Sequence, residues 1–195
     1  MKVLWLDAHA DANTPATSPS GNLHGMPVAC LLGLGPQALQ LGADWQALQA
    51  RQITQIGVRS VDAHEKYLLQ QHGLTVFDMR SIDELGMREV MQLALADVDA
   101  NTHLHVSFDL DCLDPGDAPG VGTPVRGGPS YREMQLCMEM LADCRALASL
   151  DVMELNPALD IRNQTAQLAV DLLESLFGKS TLVTSETAGF SAPQV

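Results

Sequence analysis

Residues 3–11 read Val-Leu-Trp-Leu-Asp-Ala-His-Ala-Asp: four apolar side chains run without a break into two carboxylates and an imidazole. An apolar run this short reads as a buried strand, Val3 to Leu6. Asp7, His9 and Asp11 then fall at its carboxyl end, where open α/β sheets place their ligands.

A second stretch repeats the arrangement. The run Leu104 to Phe108 ends in Asp109-Leu110-Asp111-Cys112-Leu113-Asp114-Pro115, and in extended backbone Asp109 and Asp111 project to the same side. Carboxylates this close raise one another's pKa unless a cation neutralises them, so the four Asp and one His imply bound divalent metal, roughly two ions. Oxygen-dominated ligation with one imidazole and no thiolate favours manganese, magnesium or a similar hard ion over structural zinc. Asp114 is different, because an Asp-Pro turn is explained by hydrogen bonding to its own backbone.

Outward from these two strands, Ile53 to Val58, Leu74 to Phe77 and Leu147 to Met153 read as three more. Helical patterns lie between them at Pro27 to Leu34, Ala63 to Gln71 (stopped by Gly73), Ile82 to Val98, Tyr131 to Leu147 and Thr165 to Phe177. Capping boxes are expected at Ser81-x-x-Glu84 and Ser130-x-x-Glu133. The stripe Tyr131, Met134, Cys137, Leu141 and Cys144 recurs at helical spacing and reads as core. Alternating strands and helices predict an α/β, three-layer fold with a mostly parallel sheet. Two long Gly/Pro/Ser-rich loops, Ala12 to Gly25 and Asp114 to Pro129, begin just after strands, where functional residues concentrate.

Composition narrows the partners. With 195 residues, 46 % of them hydrophobic, the chain can bury one sizeable core, and a formal net charge of −13 repels nucleic acid and anionic membranes. A cationic substrate or a bound cation fits that charge. Cys30, Cys112, Cys137 and Cys144 form no C-x-x-C pair, which suits reduced thiols in a cytoplasm. No secretory h-region and no run of eighteen apolar residues is present, so neither export nor membrane spanning is expected.

The segments Asp7-Ala8-His9-Ala10-Asp11, Ser20-Gly21-Asn22-Leu23-His24-Gly25 and Ser107-Phe108-Asp109-Leu110-Asp111-Cys112-Leu113-Asp114-Pro115 together resemble the arginases. The likeness extends through Gly57-Val58-Arg59-Ser60-Val61-Asp62, Gly122-Thr123-Pro124 and Asp151-Val152-Met153-Glu154-Leu155-Asn156-Pro157, so it covers nearly the whole chain. It implies a single arginase-like ureohydrolase domain over 1–195 that hydrolyses L-arginine to L-ornithine and urea by a metal-activated hydroxide. Two Mn(2+) per chain are implied: Asp7 and Asp109 bridging both, Asp11 on one, His9 and Asp111 on the other. Asp11 would accept a proton, His24 would shuttle one to the departing amine, and Glu154 would pair with the guanidinium. Asn13, Ser20, Asn22 and Asp62 would recognise the α-carboxylate and α-amino groups, with Glu65 assisting and Thr123 in the active-site loop.

Arginases also carry, before their Asp-Ala-His-x-Asp segment, a Gly-Gly-Asp-His motif whose histidine binds manganese, and this sequence contains none. The resemblance therefore implies an N-terminally truncated fold of about five strands, a weakened second metal site, and Leu147 to Met153 as a hydrophobic sheet edge. Such an edge predicts a homo-oligomer. The alternatives are an agmatinase-like ureohydrolase, or a truncated inactive relative that only binds metal or arginine.

Overall fold

Strand alternation divides the apolar residues between two faces. In the computed structural model, which describes residues 1–39 and 46–182, the strands are β1 (Lys2–Leu6), β2 (Ile53–Val58), β3 (Thr75–Asp78), β4 (Leu104–Asp109) and β5 (Leu147–Met153). Neighbouring strands pair in parallel in the order β3-β2-β1-β4-β5. Leu4 and Leu6 of β1 point into the larger core, with Phe108 of β4 and the buried faces of α3 (Met79–Leu85), α4 (Met87–Ala94), α5 (Tyr131–Cys144) and α6 (Gln164–Leu176). Val3 points the other way, toward Val28 of α1 (Pro27–Leu31) and Leu68 of α2 (Ala63–His72). Helices thus cover both faces, the expected three-layer α/β arrangement. Each fully buried Leu, Ile or Phe contributes roughly 1.5–3 kcal/mol.

The chain leaves β1 for β2 on one side and returns for β4 on the other. The switch point therefore lies between β1 and β4, where such sheets open a crevice at their carboxyl ends. Asp7 and Asp109 end those two strands. Among the described residues β5 is an edge, pairing only with β4, and Val152 and Met153 on it are exposed.

The expected single helix from Ile82 to Val98 is two. Gly86, at φ +80°, closes α3 and opens α4, a backbone conformation that glycine adopts without steric cost. The expected Ser81–Glu84 capping box is also displaced. Asp78 is the cap, accepting from the Ser81 amide at 2.8 Å and its hydroxyl at 2.7 Å, while Glu84 pairs with Arg80. The Ser130–Glu133 box forms as expected, and Gly73 ends α2 at φ +66°. The stripe on α5 is core, with Met134, Cys137 and Leu141 buried.

Gly57 is the tightest point of the sheet. It sits in β2 at φ +92°, beside the register shift between Ile56 and Val58, and a Cβ there would lie 2.7 Å from Cys112 Sγ. Gly57→Ala combines a strained backbone with overpacking and is expected to cost about 2–4 kcal/mol. A urea-unfolding midpoint unchanged from the parent would refute that.

Candidate metal centre

Asp7 leaves β1 buried, and both of its oxygens accept hydrogen bonds. Oδ1 takes the His9 amide at 2.7 Å and Oδ2 takes the Trp5 indole N–H at 2.9 Å. The His9 ring turns back toward the same crevice, its Nδ1 3.4 Å from Asp7 Oδ1 and 3.0 Å from Asp111 Oδ2. Asp111 reaches this point from the 3-10 turn Leu110–Cys112 that follows β4. It is held by the Ala8 amide on Oδ1 and by the Thr123 hydroxyl on Oδ2 at 2.9 Å. Asp109 caps that turn, accepting from the Asp111 amide at 2.8 Å.

Asp11 takes up a left-handed conformation at φ +51°, and its carbonyl accepts from the amides of Val28 and Ala29. That bend brings the Asp11 side chain to the cavity and ties it to the start of α1.

Electrostatics mark these groups as a cation site. Burial, followed by the charge of Asp7, pushes the Asp11 carboxyl up to about 9. Burial, with Asp7 and Asp111 adding to it, pushes Asp109 to about 9. Asp7 is also raised, chiefly by burial and against its hydrogen bond with His9. His9 rises to about 10 because Asp111 and then Asp7 accept from its ring. Burial alone would raise Asp111, but the hydrogen bond and charge of His9 outweigh it and hold Asp111 below the usual carboxylate range. Without a cation this cluster retains protons that its residue types would otherwise lose.

The donors fit a divalent ion. Ligand atoms of Asp7, His9 and Asp111 lie within 4.8 Å of one another. The 3.0 Å between His9 Nδ1 and Asp111 Oδ2 matches the edge of an octahedron whose metal–ligand distances are about 2.1 Å. Carboxylate oxygen with one imidazole suits manganese or a similar hard ion. Asp11 and Asp109 face the same cavity but stand outside this tight group.

The cavity, of about 450 Å³, is lined by Asp7, His9, Asp11, Asn13, His24, Asp62, Glu65, Asp109, Asp111, Thr123 and Glu154 among others. Glu154 follows β5 at φ +65° and accepts from the Gly122 amide at 3.2 Å. Asp62 and Glu65 form the capping box of α2. Asp62 also accepts from Asn13 Nδ2 at 2.7 Å, and Glu65 from the Ala12 amide at 3.1 Å. Both are therefore braces between α2 and the loop after Asp11. His24 lies exposed at the rim. Ser20 and Asn22 are brought elsewhere: they are exposed, the Ser20 hydroxyl accepts from the Asn22 amide, and neither lines the cavity.

Sequence reasoning missed Trp5 and Gly122. The indole of Trp5 carried one usable signal, since a half-buried Trp N–H needs an acceptor and Asp7 lies two residues away. A Cβ on Gly122 would approach Glu154 Oε2 to 2.8 Å, a long-range contact that the sequence does not encode locally.

Known proteins resemble this chain over most of its length. A family model described as "Arginase family" matches residues 1–178. The chain is 49 % identical to the arginase of Bacillus caldovelox and 51 % identical to that of Brevibacillus brevis. Each match runs over 182 residues and covers 92 % of this chain and 61 % of the relative. The solved structure of the Bacillus caldovelox arginase superimposes with a TM-score of 0.89 at 48 % identity, covering 93 % of this chain and 61 % of that one. The chain thus spans about three fifths of the length of these relatives.

Proposed function

The chain belongs to the arginase family, and from that premise we propose that it hydrolyses the guanidinium group of L-arginine to L-ornithine and urea at a divalent-metal centre. Manganese, two ions per chain, is the reading that the donor set and the family support. The observation that carries the proposal is one cavity holding both a cluster able to bind metal, Asp7, His9 and Asp111, and a separate carboxylate, Glu154, able to receive a cation.

Bound metal lowers the pKa of water and so supplies a nucleophile near neutral pH. The residues do the rest. Glu154, oriented by the Gly122 amide, pairs with the planar guanidinium through charge-assisted hydrogen bonds. Asp11 takes the remaining proton of the nucleophile as its oxygen bonds to the guanidinium carbon, and passes it to the chain nitrogen as that oxygen becomes the carbonyl of urea. As the bond from that carbon to the chain nitrogen breaks, His24 at the solvent rim delivers a proton to the departing amine. Asn13 and Asp62, locked together, offer polar groups to the α-substituents, with Glu65 holding Asp62 and Thr123 holding Asp111.

One observation favours a second reading. Ser20 and Asn22, the residues expected to meet the α-carboxylate, lie away from the cavity, which suits agmatine as well as arginine. Urea release from each substrate by the manganese-loaded protein decides between them. The expected result is turnover of arginine at a kcat/KM at least tenfold above agmatine. The reverse preference would reassign the substrate, and folded, manganese-loaded protein that releases urea from neither would remove the hydrolase reading.

The exposed β5 edge supports a homo-oligomer. The four free cysteines support a reducing, cytoplasmic setting, and no helix among the described residues is long and apolar enough to cross a membrane.

A further inference from the structure

Arg59 follows β2 and joins the two halves of the cluster. Its backbone amide, with that of Ser60, donates to the Ala8 carbonyl at 2.9 Å, pinning the segment between Asp7 and His9. Its side chain works on the other half. Nη1 donates to Gly57 O at 3.1 Å and Cys112 O at 2.9 Å. Nη2 donates to Asp111 O at 3.0 Å, Leu113 O at 3.1 Å and Val125 O at 2.7 Å, and Nε donates to Val125 O at 3.2 Å. Apart from that of Gly57 in β2, these carbonyls belong to the turn that carries Asp111 and to the loop that presents Thr123. The far side of that loop is closed by Asp114, which accepts from the amides of Gly116, Gly127 and Gly128.

We propose that Arg59 is the positioning residue of the metal centre: its guanidinium gathers the carbonyls of residues 111–125 so that Asp111 and Thr123 meet His9 and Asp7. The inference rests on the metal reading above and adds a residue to it. Only a guanidinium can do this, because its N–H donors diverge in a rigid plane, whereas a lysine ammonium is a compact point charge on a flexible stem. The packing leaves the fork no slack: a Cβ on Gly128 would lie 2.7 Å from Arg59 Nη2 and 2.6 Å from Cys112 O.

The sign of one measurement separates positioning from a bystander charge. A cation beside a dication site repels it, so a bystander Arg59 replaced by Gln would strengthen metal binding, and replaced by Lys would leave it unchanged. Positioning predicts that both substitutions weaken binding, by about tenfold or more, as loss of an outer partner of a ligand does. Free Mn(2+) is titrated against the whole chain and read by electron paramagnetic resonance, with far-ultraviolet circular dichroism as the check on folding. Leu141→Ala, a core change in α5 remote from the cavity, is the control for general destabilisation and is expected to keep the parent affinity. Gly128→Ala presses on the Cys112 carbonyl and the Asp114 amide as well as on the guanidinium, so it shifts the gathered turn and the fork together; it carries the test if the Arg59 variants do not fold, and its affinity should fall likewise. Parent-like or tighter Mn(2+) binding in the folded Arg59 variants, or in Gly128→Ala, overturns the inference and leaves the metal reading standing. Failure of the parent itself to bind Mn(2+) overturns both.

Discussion

Asp11→Asn is expected to give a protein that is more stable than its parent without metal and that releases urea on the order of 10³-fold more slowly. The two effects share one cause. Burial and the neighbouring charge of Asp7 push the Asp11 carboxyl to about 9, so above its ordinary pKa the metal-free fold carries a group it would rather keep protonated. Asparagine has the same shape, stays neutral and tolerates the left-handed backbone at φ +51°. Because the fold must hold that proton at a pH where the unfolded chain releases it, replacing the ionisable group should add roughly 1–3 kcal/mol near pH 8, or about 2–4 °C in Tm per kcal/mol for a chain of this size. Asparagine can neither neutralise a cation nor accept the proton from water, so metal affinity and turnover fall together. Parent-like urea release, or a metal-free Tm below that of the parent at pH 8, would show that Asp11 is an ordinary structural carboxylate.

Metal removal should make stability steeply pH-dependent, with the sign opposite to that of ordinary acid denaturation. Asp11 and Asp109 have folded values near 9, above the 3.8 of an unperturbed Asp. The stability they contribute is complete below 3.8 and is lost as pH rises through 9. His9, raised from 6.5 to about 10, acts in the same direction between those values, and the raised Asp7 does also. Asp111 alone is lowered, so its contribution is lost on acidification. The metal-free protein should therefore lose Tm steadily from about pH 5 to about pH 9. Manganese reverses this by holding the carboxylates ionised. At one hundred times its Kd an ion that binds only the folded state adds about 2.7 kcal/mol, and protons released on binding make the calorimetric heat depend on the buffer. A metal-free Tm that is flat or rising between pH 5 and pH 9 would contradict the arrangement of charges described above.

The parts of the molecule that were legible in the sequence are those fixed locally. The runs 53–58 and 147–153 are strands at the expected residues because β-branched or apolar side chains fill them. Asp7, His9, Asp109 and Asp111 were legible because all lie within three residues of the carboxyl ends of β1 and β4, and the alternation of elements fixed which sheet end they share. The break at Gly86 was hidden, since the apolar spacing continues from Ile82 through Met87, Val90 and Met91 into one buried face. Ser81 misled because Asp78, three residues earlier, offers a stronger acceptor to the same helix start. Residues whose partners are remote were the hardest to read. Asn13 meets Asp62 and Glu65 meets Ala12 only after β1 and β2 pair, and the Arg59 fork closes on carbonyls more than fifty positions away. The exposed placement of Ser20 and Asn22 follows from a loop that bonds mainly to itself, through Thr14, Thr17, Ser18 and Ser20.

Strand β5 is held from one side. It is paired along β4, and no strand pairs with its other side among the described residues. Its amides thus belong to the low end of the local-unfolding spectrum, where opening requires the loss of only one ladder. Glu154 directly follows this strand, whose Asp151 and Met153 line the cavity beside it. Its grip on a guanidinium is consequently discounted by the fraction of molecules in which the edge has frayed, and whatever covers that edge tightens substrate binding from a distance, without touching the substrate.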